Sequence, residues 1–484
     1  MKKLITLFFI GITLMVSAQS GITWGASANI TSNTYGNMQP RMAMDANGNA
    51  MVVWGRMSDE SVFFSRWTGT SFSTPMKLNP SWMTVATASW MGPDIASKGD
   101  TVYVVMKRTP EAMDTNHIYI VRSMDGGMSF SAPIQVDNIA DSMSRFPTVT
   151  VDASGNPIVA FMKFNSAFLE SRWVVAKSTD HGNTFSIDVK ASGWSGDSSE
   201  VCDCCPGAIV SSGNTTAMLY RDNLSNVRDL WTGISTNNAS AFNSGFKVDN
   251  NNWMISSCPA SGPDGVIVGD TLYTVFMSGA SSNTLSYLSK SSISTGAFNT
   301  VNKLTPTIAG LNEQNYPRIA NDGAAMAIVW EQTVGGNAQL PLLFTNNMTN
   351  GFPATYDTID LDNITNADVA LHNGSIMVVW QDGNTRTVRY RKGTYTLAPS
   401  AVNDITEGTF SIFPNPATNS LHVQSSFGLS SMDIVITDLL GKSIMTQSLL
   451  NGDDLIDISS LNDGVYFIQV KTDKQFFTQK FMKQ

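Results

Sequence analysis

An all-β fold is predicted for this 484-residue chain: a closed ring of repeated four-stranded sheets, followed by a small β-sandwich. Three observations carry that prediction. A strand-turn-strand pattern recurs with a nearly constant period. Gly, Asn and Asp turns stand between short apolar runs and leave no room for a helix. After a polar linker the pattern changes to a second series of short alternating strands.

Residues 1–19 come first. Lys2-Lys3, an apolar run from Leu4 to Val16 and the small residues Ser17-Ala18 have the order of a secretory signal peptide, so the mature chain begins near Gln19 or Ser20. The apolar run is too short for a membrane anchor, and no later segment reaches spanning length.

The repeats fill residues 20–396. The clearest runs from Phe146 to Phe185, with strands at Thr148–Val151, Ile158–Met162 and Trp173–Ala176 and a turn at Asp152-Ala153-Ser154-Gly155-Asn156. Copies begin at Pro40, Pro93, Pro147, Pro206, Pro263, Pro317 and Ala367, giving spacings of 53, 54, 59, 57, 54 and 50 residues. A period near fifty with four short strands per unit is that of β-propeller blades, whose two apolar faces are buried only by stacking around an axis. Seven blades are expected, six being the alternative. The last unit supplies only three strands, while Ile22-Thr23-Trp24 to Ile30 reads as an outermost strand. An N-terminal strand completing the last blade would close the ring and remove an open edge.

Two turns carry a sharper pattern, S-x-D-x-G-x-x-F. One is Ser123, Asp125, Gly127 and Phe130; the other is Ser178, Asp180, Gly182 and Phe185. A short Asp accepts hydrogen bonds from the turn backbone, Gly permits positive φ, and the aromatic ring plugs the gap between blades. Ser65 to Phe72, Ser235 to Phe242 and Ser289 to Phe298 read as decayed copies. The pattern resembles the Asp-box, or BNR repeat, of the sialidase superfamily. This is a structural turn, so it speaks for fold rather than catalysis.

Residues 397–408 form a linker with Pro399, Ser400, Asn403 and Asp404, and residues 409–484 a second domain. Its strands at Leu421–Val423, Ile434–Asp438, Leu455–Ile458 and Gly464–Val470 suggest a small Ig-like β-sandwich. The pieces Phe413-Pro414-Asn415-Pro416, Asp438-Leu439-Leu440-Gly441-Lys442, Leu461-x-x-Gly464-x-Tyr466 and Lys480-Phe481-Met482-Lys483 resemble the type A C-terminal sorting domain of the type IX secretion system. That resemblance implies passage through the periplasm to the medium or the outer cell surface, with the export machinery as a partner. A carbohydrate-binding Ig-like module is the alternative.

Function is less sharply written. A formal net charge of −9 argues against nucleic acid or an anionic membrane as partner. Propeller geometry gathers the loops that lead into the first strand and those joining the second and third strands on one rim, where the sialidase family carries its site. Candidate ligand-binding residues on this rim are Arg41, Arg221, Asp222, Arg228, Asp229 and Arg318. Arginines match carboxylates in a bidentate fork. A sialidase also needs an acid/base Asp and a Tyr activated by Glu; no complete catalytic set of this kind is found. The expectation is recognition or hydrolysis of an extracellular glycan or glycoprotein, as a glycoside hydrolase of exo-sialidase type if it is an enzyme, with no cofactor required. A non-enzymatic interaction propeller is one alternative. A metal- or redox-linked propeller is another, centred on the only four cysteines, Cys202, Cys204, Cys205 and Cys258. An even count in an exported protein favours disulfides, while the crowded C-x-C-C run leaves open a soft-metal thiolate site.

Overall fold

The computed structural model describes residues 21–32, 34–111, 116–138, 143–165, 167, 169–196, 200–398, 410–425, 432–439, 441–449, 453–471 and 476–484. The signal peptide and nearly all of the linker lie outside these residues. The chain divides into two compact units, 1–398 and 399–484.

Among the described residues, the strands of the first unit form seven antiparallel sheets, each a blade. The innermost strands are Asn37–Met44, Asp94–Lys98, Met143–Val151, Ala208–Ser212, Asp264–Val268, Leu311–Asp322 and Ile364–His372. In blades 1 to 6 the remaining strands follow in sequence order outward; a short additional strand, Thr84–Val85, joins blade 2. Blade 7 takes its outermost strand from the N-terminus: Ile22–Asn29 pairs antiparallel with Thr387–Tyr395, setting Ile22 opposite Tyr395 and Asn29 opposite Arg389.

Second strands are written as continuous apolar runs because both faces are covered. Met51 to Trp54, Val102 to Met106, Ile158 to Met162, Met326 to Trp330 and Ile376 to Trp380 are all buried. Each neighbouring pair of blades owns a separate apolar core. That between blades 7 and 1 contains Trp54, Met42, Val379 and Val388, so the ring is sealed by packing as well as by strand pairing.

Four of the seven repeat starts, at Pro40, Pro147, Pro317 and Ala367, also shape the axis. Pairing with the second strand slips between Met38 and Arg41, Arg145 and Thr148, Asn315 and Arg318, and Thr365 and Asp368. At each slip one residue takes a left-handed backbone: Gln39, Phe146, Tyr316 and Asn366 have φ between 46° and 52°. Such a bulge re-aims the chain and turns the residues around the proline toward the axis.

Both S-x-D-x-G-x-x-F turns have the hydrogen bonding expected of them. Asp180 Oδ1 accepts from the amides of Asn183 and Thr184 at 3.0 and 2.9 Å, and Gly182 N donates to Ser178 Oγ at 2.7 Å. Asp125 does the same with Met128 and Ser129. Phe130 packs edge-on against Phe64 of blade 1, ring centres 4.9 Å apart. In the decayed copy at Ser235, Asn237 stands for Asp, and Ala239 takes φ 58° in the place of Gly.

The second unit has one sheet of Phe410–Phe413, Ser420–Ser425 and Asp453–Asp457. A second sheet holds Ser443–Leu449, Met432–Thr437, Gly464–Lys471 and Phe476–Lys483. Ile412, Leu421, Val423, Ile434, Ile436, Ile456, Ile468 and Phe481 share one core. Alternate residues face that core, which explains the period-two pattern in the sequence.

Candidate functional site at the axial mouth

The residue after each repeat proline, or its equivalent, forms a ring around the axis: Arg41, Asp94, Thr148, Gly207, Asp264, Arg318 and Asp368. The aspartates bind across blade boundaries. Asp94 Oδ2 accepts from Thr148 Oγ1 at 2.8 Å and Val149 N at 3.0 Å, Asp264 Oδ2 from Ile319 N at 2.9 Å, and Asp368 Oδ2 from Met42 N at 2.9 Å. Arg318 lies between two of them, its Nε 3.3 Å from both Asp264 and Asp368. Burial alone would lower the Arg318 pKa, but these carboxylates hold it above the ordinary arginine value.

Arg41 is placed differently. Its Nη1 donates to Pro40 O at 2.8 Å and its Nη2 to Gln39 Oε1 at 3.3 Å. Among the described residues no carboxylate lies within ion-pairing distance of it. Burial, and then the neighbouring Arg318 charge, push its pKa down. Both arginines line a funnel of about 80 Å³ at the mouth of the axis, together with Trp90, Tyr316 and Asn366.

Tyr316 of the funnel wall has a carboxyl neighbour, Glu331, that the sequence does not pair with it. Register sets Asn315 opposite Glu331, so Tyr316 in the adjoining bulge comes near that carboxyl. Glu331 accepts from Asn366 N of the next blade. Burial raises its pKa to about 8, with Glu313 adding to the rise and the Asn366 amide and Arg41 opposing it. Burial and then Glu331 raise that of Tyr316. In the sequence the two residues stand at opposite ends of one strand-turn-strand repeat, and nothing there shows the bulge that brings them near each other.

Beside the funnel runs a groove with a shared wall. Trp90 and Met91 line both, and the groove continues along Glu60, Lys107, Glu111 and Arg145. Trp90 is 38% exposed, and Trp82 nearby is 58% exposed. The Arg145 guanidinium lies 5.6 Å from the Trp90 ring centre and its Nε donates to Glu111 Oε1 at 2.6 Å. Lys107 is buried with its Nζ 3.4 Å from Glu111 Oε1. Burial lowers the Lys107 pKa to about 8, with Glu111 opposing. Burial acts to raise the Glu111 carboxyl, but Arg145 and Lys107 hold it below its ordinary value.

The other rim candidates do not reach the axis. Arg221 is 1% exposed and donates to three backbone carbonyls, Ser261 O at 3.1 Å, Arg228 O at 2.6 Å and Met277 O at 2.7 Å. Trp253 covers its guanidinium at 5.2 Å. Asp229 accepts from Trp253 N at 2.8 Å and pairs with Lys247 at 2.7 Å. Asp222 is buried, and burial raises its pKa to about 6. Arg228 donates to Ile255 O at 3.3 Å and to Cys202 Sγ at 2.9 Å. These four residues brace blades 4 and 5 from within.

The cysteines are joined as Cys202–Cys205 and Cys204–Cys258. They stand at the lead-in to blades 4 and 5, next to Pro206, Gly207, Ala260 and Gly262 of the funnel wall.

No curated protein matches the chain in sequence. Among solved structures, it is similar to a Dyadobacter fermentans protein of unknown function, with 11% identity and TM-score 0.47, covering 78% of this chain and 100% of that one. The GH93 α-L-arabinofuranosidase of Fusarium graminearum in complex with arabinobiose gives 14% identity and TM-score 0.45, covering 68% and 99%. The Penicillium chrysogenum α-L-arabinanase complexed with arabinobiose gives 12% identity and TM-score 0.42, covering 77% and 99%. Residues 411–484 match the family of secretion system C-terminal sorting domains. The second unit is thus a sorting domain of the type IX secretion system, and the protein is exported across the outer membrane to the cell surface or the medium.

Proposed function

We propose that the propeller recognises an extracellular glycan at the mouth of its axis, with an acidic sugar residue seated on Arg41. The observation that carries this reading is Trp90, a half-open indole in the wall between funnel and groove. Its neighbours on either side are polar: Arg41 in the funnel, Glu111, Lys107 and Arg145 in the groove. An aromatic face takes the apolar C–H face of a sugar, while a few convergent polar groups take its hydroxyls. A planar guanidinium without a carboxylate partner suits a sugar carboxylate in particular. Arg318, paired with two aspartates, then serves to fix blades 5 to 7 around Arg41.

Calorimetric titration of the mature protein with sialylated, uronate-containing and neutral glycans tests the reading. Trp90→Ala is expected to weaken binding of every bound glycan at least tenfold. Arg41→Ala is expected to do so for acidic glycans only. Equal affinity in both variants, or no binding of any of the three classes, would refute it.

A second reading, hydrolysis, is favoured by Glu331. Burial raises the pKa of this carboxyl beside Tyr316 of the funnel wall, the direction that suits a group protonating a glycosidic oxygen. Reducing-sugar release that vanishes in Glu331→Gln while binding persists would select this reading over binding alone.

A further inference from the structure

We infer that the four cysteines are a redox-switched soft-metal site: two disulfides when oxidised, and a tetrathiolate for one zinc- or copper(I)-class ion when reduced. Two disulfides that only staple the chain have no reason to share one spot. Here all four sulfurs lie within 4.8 Å of one another, and the unbonded pair Cys202 Sγ and Cys204 Sγ is 3.6 Å apart. A tetrahedral site with metal–sulfur bonds of about 2.3 Å has sulfur–sulfur edges of roughly 3.8 Å. The reduced set therefore needs side-chain shifts of the order of an ångström or two to enclose an ion.

The backbone that carries the sulfurs is held independently of them. Val201 N donates to Ser171 O at 3.1 Å, Cys202 N to Arg221 O at 2.9 Å, and Cys205 N to Cys202 O at 3.2 Å. Residues 202–205 thus form a turn pinned to blades 3 and 4, and Cys258 approaches from the lead-in to blade 5. Charge is provided for as well. Four thiolates around a dication carry two negative charges, and the Arg228 guanidinium already donates to Cys202 Sγ at 2.9 Å. Hydrogen bonds of this kind to ligand atoms orient and stabilise a metal site. Cys202 and Cys205 are buried whereas Cys258 is exposed, so reductant and ion enter from the Cys258 side.

The reaction balances with an external dithiol as reductant. Each protein disulfide takes two electrons and two protons from one dithiol, which leaves as its own cyclic disulfide. Binding of a dication by the four resulting thiols then releases four protons.

The experiment uses the whole mature protein, reduced anaerobically with dithiothreitol, freed of reductant and titrated with Co²⁺ as a spectroscopic probe. Four free thiols and one Co²⁺ per chain are expected, with thiolate-to-cobalt charge-transfer bands that Zn²⁺ abolishes. Bound Zn²⁺ should slow alkylation by iodoacetamide at least tenfold. Cys258→Ser, which alters the exposed ligand, should weaken Co²⁺ binding at least tenfold while the thermal transition of the propeller persists. The inference fails if fewer than four thiols appear, if less than one Co²⁺ binds, if Cys258→Ser binds it as tightly, or if reduction unfolds the chain and metal does not restore it.

Discussion

Glu331 shows what one buried carboxyl does to the pH response of this fold. Its pKa is about 8 in the folded chain, against the ordinary value of 4.5. Between those values the folded chain keeps a proton that the unfolded chain has released. Stability from this group is therefore full at low pH and is lost as pH rises from about 4.5 through about 8. Glu331→Gln keeps the shape and removes the titration. Melting temperatures measured from pH 5 to 9 should fall less steeply with pH in the variant, and the two proteins should differ most at pH 9; parallel curves would contradict this. At the same scale, the sequence groups Arg41, Arg318 and Arg221 as equals, and the structure separates them. Arg41 and Arg318 follow a repeat proline, where the bulge turns them to the axis. Arg221 ends a second strand, where its guanidinium donates to backbone carbonyls beneath the Trp253 ring. The distinction depends on a local reversal of backbone handedness, which the residue types alone do not encode.

At the scale of elements, legibility follows periodicity. Blade positions, the two S-x-D-x-G-x-x-F turns and the N-terminal closing strand can all be read, because each rests on a repeated apolar pattern or on a turn with fixed chemistry. The bulges at Gln39, Phe146, Tyr316 and Asn366 cannot: the first three put a left-handed residue before proline, against the usual bias of that position toward extended backbone, and the fourth precedes Ala367. The site therefore stays half-hidden: its prolines mark the repeats while the geometry they create does not show. The closing strand permits a direct check. Ile22 is 3% exposed and packs in the core between blades 6 and 7. Ile22→Ala should cost about 2–4 kcal/mol in urea unfolding, as for other buried large-to-small changes. A cost under about 0.5 kcal/mol, typical of surface substitutions, would mean that the strand is dispensable and the ring is sealed by its blades alone.

For the whole molecule, the ring and the sorting domain are separate solutions to separate problems. The propeller has no single centre; its apolar surface is divided among the boundaries between blades, so each blade depends on two neighbours and the ring on every member. The second unit has a core of its own, into which the chain end is built. Phe481 is buried, and Ala417 N and Gln484 N exchange hydrogen bonds of 2.8 Å with Met482 O and Ala417 O. The strand Phe476–Lys483, fixed in this way, presents a defined surface to an export machine, where a frayed segment would not. Removing residues 411–484 should thus leave the melting transition of the propeller in place and abolish export, so that the chain accumulates in the periplasm. Fractionation of cells expressing the truncated and complete chains measures this directly. Equal amounts of both at the cell surface or in the medium would show that the address lies elsewhere in the chain, whereas loss of the propeller's own transition would show that the two units fold as one.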